Sequence, residues 1–166
     1  MVASPSTLAA EADALTEAFR QLRSERNPLA ALAVLDGYAA RFPDGKLRRE
    51  GAAARVEALL ALGRREDART LLLSLPLHEL GRGDELRVIR AELSAPSDCL
   101  SAVADFDAVL SGRPSAGLQE RALHGRAVCR LRLADAAGSE SDLREYLRRF
   151  PDGRFAAEVR KQLASR

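Results

Sequence analysis

Apolar residues recur every three or four positions along almost the whole chain, which is the spacing of one face of an α-helix. The first such stripe runs through Leu8, Ala12, Leu15, Phe19 and Leu22, with Ser6 placed to cap it and Pro5 just outside. "RNPLAAL" restarts the pattern, with Asn27 as N-cap and Pro28 at the first helical position, where a missing N–H costs nothing. Leu32, Leu35, Ala39 and Phe42 carry the second stripe, and Pro43, which cannot continue a helix, stops it with Gly45, which tolerates positive φ. A third helix is predicted over about 46–62, with Ala52, Val56 and Leu59 inward, and a fourth over about 65–75. After a loop, "LHELGRGDE", a short helix is expected over about 84–93. Ser97 is the expected cap of the next, whose stripe is Cys99, Val103, Phe106 and Leu110. Helices over about 116–134 and 141–150 follow, and a last one passes through Phe155, Val159 and Leu163.

The octad "YAARFPDG" ending at Gly45 returns as "YLRRFPDG" ending at Gly153, 108 residues later, and 108 is three steps of 36. A period in the mid-thirties built from two helices and a turn is the signature of a helical repeat, whose pairs bury their apolar faces only by stacking on neighbours. The expected fold class is therefore all-α, a stack of antiparallel helix pairs. It is expected as a single domain over 1–166, with units at about 6–45, 46–80, 81–114 and 115–153 and a capping helix over 154–166. Composition agrees. Hydrophobic residues make up 46% of the chain but aromatics only 4%, with no Trp, so the core must be Ala, Leu and Val, suited to close-packed helices.

Several residues resemble those of tetratricopeptide repeats. "LGRREDART" resembles that family's mid-repeat turn, with Gly63 and Ala68 at its two small positions. Ala31, Leu35, Tyr38 and Pro43 match the second helix and its exit; Cys99, Val103 and Phe106 do so in the third unit, and Leu143, Tyr146 and Pro151 in the fourth, where Ser139 replaces the usual Ala. The family's Trp, Gly and Tyr positions in the first helices are not present. "YLRRFPDGRFAAEVRKQLA" is similar to units of bacterial envelope proteins and of membrane-anchored regulators. The resemblance implies that the stack is right-handed and that the chain is a non-enzymatic scaffold binding a peptide or partner helix on the concave face lined by its first helices. Arg20, Arg23, Glu50, Glu57, Arg121, His124 and Val128 are the expected contact residues there. The alternative is a structural or oligomerisation module of a larger regulator.

Charge does little to change this. The net charge is +2 from 26 basic and 24 acidic residues, and all but Lys46 and Lys161 of the basic ones are arginine. Acids are interspersed with the clusters Arg20/Arg23/Arg26, Arg48/Arg49, Arg64/Arg65 and Arg144/Arg148/Arg149, whereas nucleic-acid binding calls for a stripe of one sign. No apolar run approaches a membrane span.

No catalytic residues, metal site, small-molecule substrate or cofactor emerge. His78 and His124 each lack the companions a metal needs, no G-x-S-x-G elbow occurs, "GRG" and "GSES" are too short for phosphate loops, and Glu66-Asp67 suit a helix start. The cysteines are more informative. Cys99 and Cys129 lie equally far from Pro114, the turn between their helices, and so at one level of a hairpin. They fit two states: reduced packing residues, or a disulfide that would place the chain in an oxidising compartment such as the periplasm rather than the cytoplasm.

Overall fold

A computed structural model describes residues 5–165, the side chains of residues 5 and 6 excepted. The cap expected at Ser6, with Pro5 just outside the helix, is not found, because α1 already starts at Pro5 and both residues lie within it. Among the described residues the fold is nine α-helices and no strand. They fall into two compact units, Met1–Pro76 and Leu77–Arg166.

The first unit holds α1 (Pro5–Phe19), α2 (Pro28–Arg41), α3 (Arg48–Ala61) and α4 (Arg65–Ser74), each packed on the one before it. A wide π-turn, Arg20–Ser24, extends α1. Asn27 caps α2 as expected, its side chain accepting from the Ala30 N–H. The inward faces agree with the sequence pattern at Leu15, Leu32 and Leu35 and depart from it at other positions. In α1, Leu8 and Ala12 are exposed while Glu11, Leu15 and Ala18 are buried; in α2, Tyr38 is buried and Ala39 exposed.

The second unit holds α5 (Gly83–Ser94), α6 (Cys99–Leu110), α7 (Ala116–Arg132), α8 (Ala136–Arg149) and α9 (Ala156–Ala164), again packed consecutively from α5 to α9. Before α5, the segment expected to be a plain loop contains a 3-10 turn, Leu77–Glu79, that buries Leu77. Asp98, not Ser97, caps α6 by accepting from the Ser101 N–H, which shifts that helix's phase. Its buried residues are Ala102, Phe106 and Val109, so the small position of the repeat falls at Ala102 and not at Cys99. α8 starts before the predicted 141, at a cap made by Asp135.

With that correction one spacing repeats four times. Ala31, Ala68, Ala102 and Ser139 are buried small residues, and four positions after each comes a buried Leu35, Leu72, Phe106 or Leu143. Seven positions after each come Tyr38, Leu75, Val109 and Tyr146. Small residues let the paired helices approach closely while the larger ones fill the space between them.

Candidate functional site

The two octads have the same geometry. Phe42 and Phe150, the C-caps of α2 and α8, both adopt φ −129° and ψ 63° and donate their N–H to the carbonyls of Tyr38 and Tyr146. The tyrosine then ties together three elements. Tyr38 Oη donates to Glu11 Oε2 at 2.9 Å, and the Leu47 N–H ahead of α3 donates to the same oxygen at 3.0 Å. Tyr146 Oη donates to Glu120 Oε1 at 2.6 Å, the Arg154 N–H donates to that oxygen at 2.5 Å, and the Phe155 N–H donates to Tyr146 Oη at 2.8 Å. The turn glycines serve this clamp sterically. Neither Gly45 nor Gly153 has positive φ, but a Cβ at Gly45 would lie 2.5 Å from Glu11 Oε2, and one at Gly153 would lie 2.5 Å from Tyr146 Oη.

These carboxylates are structural. The Leu47 amide holds Glu11, which is 1% exposed, below the usual carboxylate range, while burial and Glu120 push the Tyr146 hydroxyl up to about 12. The sequence carried a signal for them, a Glu 27 or 26 residues before the octad tyrosine.

Beside the first clamp, α2, α3 and α4 leave a pocket of about 150 Å³ lined by Leu35, Tyr38, Ala39, Phe42, Gly51 and Leu71, with Arg48 and Arg55 also in its walls. Its lining is mostly apolar. Larger clefts, such as that of about 550 Å³ between the 77–85 segment and Arg113–Ser115, are open and polar.

The expected contact residues are distributed as follows. In the first unit Arg20 pairs with Glu17 (2.7 Å) and Glu25 (2.5 Å), Arg23 pairs with Glu57 at 3.4 Å, and Glu50 is exposed on the first turn of α3. In the second, Arg121 makes two hydrogen bonds to Glu92 of α5 and Val128 is half-buried. His124 stacks flat on Phe155, with centroids 4.0 Å apart. Its buried Nε2 has no hydrogen-bond partner among the described residues; the nearest carboxylate, Glu158, is 3.7 Å away. Burial pushes this histidine below its usual pKa, against the opposing pull of Glu158.

Sequence reasoning missed the densest polar network. Buried Asp142 of α8 accepts from Arg126 (2.6 and 3.0 Å) and Arg130 (2.9 Å) of α7, and Arg126 also reaches Asp107 of α6. Alternating arginines and acids along a helix read as solvated surface until the neighbouring helices are in place.

Cys99 and Cys129 face each other across the α6–α7 seam as two thiols, with Sγ atoms 2.6 Å apart. Cys99 Sγ is also 3.4 Å from the Ala95 carbonyl oxygen, to which Arg132 donates at 3.1 Å. Cys99 is half-buried next to the exposed residues 96–98, whereas Cys129 is fully buried, which pushes its thiol up to about 12. Among the described residues no group of three or more His, Cys, Asp or Glu could hold a metal ion, and no helix is long and apolar enough to cross a membrane.

Among the described residues, fold and surface together define an all-helical, repeat-like chain with paired charges and a small apolar pocket in its first unit. It matches no protein-family model, no curated protein and no solved structure.

Proposed function

We propose that this chain is a tetratricopeptide-like interaction scaffold that binds a peptide or partner helix of another protein. The pocket between α2, α3 and α4 carries this reading. At about 150 Å³ it matches a cavity able to take a single benzene-sized group. One aromatic or leucine side chain of a partner fits it, and Arg48 and Arg55 favour a carboxylate beside that anchor. Arg55 already pairs with Asp36 at 2.5 Å, so Arg48 is the better candidate for the partner's acid. The fourfold spacing of small and large residues and the doubled octad support the repeat class.

Selection from a displayed library of random 15-residue peptides tests the reading. Enriched sequences should carry an aromatic residue or Leu within one helical turn of Asp or Glu. Ala39→Trp, which fills the pocket from an exposed position, and Arg48→Glu should each weaken binding by roughly 10-fold or more. Arg144→Glu, in the second unit, should leave it unchanged. Failure to enrich peptides, or peptides indifferent to both first-unit changes, would overturn the proposal. A concentration-dependent mass in solution would instead support an oligomerisation module.

A further inference from the structure

Cys99 is not needed by the repeat. The small packing position of the third pair is Ala102, and the residues matching Cys99 in the other pairs are Pro28, Arg65 and Ala136. We infer that Cys99 and Cys129 form a thiol–disulfide exchange site, in which Cys99 attacks and Cys129 resolves.

The geometry divides the roles. Cys99 opens α6 beside an exposed turn, where a small disulfide can reach it. Cys129 is 0% exposed within the cluster of Val88, Ala102, Phe106 and Ala122, so among outside reagents and neighbouring sulfurs it meets only Cys99. The guanidinium of Arg132, which donates to the Ala95 carbonyl that Cys99 Sγ also meets, offers a cation to an oxidant that carries carboxylates, with the Asp98 carboxylate of the α6 cap opposing it. The co-reactant is thus a small anionic disulfide such as glutathione disulfide. The Cys99 thiolate attacks one of its sulfurs, an S–S bond forms to Cys99, and one thiolate leaves, taking up the proton that Cys99 lost. The Cys129 thiolate then attacks Cys99 Sγ and the second thiolate leaves, taking up the proton from Cys129. Two protein thiols are oxidised to one internal disulfide and one small disulfide is reduced to two thiols.

The test incubates the reduced, folded 166-residue chain with glutathione disulfide, quenches with acid, alkylates in denaturant and reads mass. Wild type should end two hydrogens lighter, with no adduct and no free thiol, and peptide mapping should join Cys99 to Cys129. Cys129→Ala should stop at a single glutathione adduct on Cys99. Cys99→Ala should be modified at least about 10-fold more slowly than Cys129→Ala. Should the alanine variants lose their helical circular dichroism, the wild-type time course decides: a transient adduct on Cys99 supports the assignment, and one on Cys129 opposes it. Two thiols still free when an unfolded sample has fully oxidised, persistent double adducts, or disulfide-linked dimers would overturn it.

Discussion

A methyl group at Gly45 would stand 2.5 Å from Glu11 Oε2 and 2.8 Å from Tyr38 Oη, closer than real Cβ atoms approach. Both neighbours are fixed by the clamp, so neither can retreat without losing a hydrogen bond to a buried group. Gly45→Ala and Gly153→Ala should therefore each destabilise their own unit by about 1–3 kcal/mol. Gly37 supplies the control. It lies mid-helix in α2 with nothing near its missing Cβ, and Gly37→Ala should stabilise by about 0.5–1 kcal/mol. Urea midpoints of the three variants check this, and a tolerated Gly45→Ala would show that the clamp is loose. The acid side follows the same residues. Glu11 has a lowered folded pKa, so its contribution is present above the unfolded carboxylate value near 4.5 and is lost as pH falls through the folded one.

At the scale of elements, the helix pairs were legible because each buries a stripe at three- and four-residue spacing. Their phase was not always so. Ser97 and Asp98 can both cap a helix, and only the burial of Ala102, Phe106 and Val109 selects Asp98. The first turns of α8 are Ala-Ala-Gly-Ser, too weakly apolar to show a stripe, although Ser139 packs to 1% exposure. The thiol pair was legible from its symmetry about Pro114. The clamp carboxylates were not, because Glu11 on a helix face reads as surface until Tyr38 Oη and the Leu47 amide are seen to meet it. Docking of α9 gives the prediction at this scale. Phe155, the N-cap of α9, lies flat on His124 of α7. The groups facing that imidazole are Glu158, Glu120 and Glu92, yet burial dominates and lowers its pKa. Below about 6.5 the unfolded histidine takes up a proton that the folded one refuses, so stability should fall as pH drops from there toward the folded pKa. His124→Phe keeps the stack and removes the titration. Denaturation midpoints between pH 7.5 and 5 should slope for wild type and flatten for the variant; equal slopes would assign the effect to another group.

For the whole molecule, the arithmetic of charge and the ion pairs point the same way. A net charge of +2 leaves little long-range field to attract phosphate. Arginines of these clusters are met by acids: Arg20 by Glu17 and Glu25, Arg64 by Asp67, and Arg144, Arg148 and Arg149 by Glu140 and Glu145. To contact a phosphate chain these arginines would first have to give up bonds they already make. With a random 20-base-pair duplex at about 150 mM salt, Kd should accordingly be weaker than about 10⁻⁴ M, the feeble end of non-specific binding. The check is a salt titration by fluorescence anisotropy. A Kd near 10⁻⁶ M with a log–log salt slope steeper than about −3 would mean that several phosphates are neutralised at once. Nucleic acid would then displace protein as the partner, and Arg48, the acid-seeking residue of the apolar pocket, would be the first side chain to test for a phosphate contact.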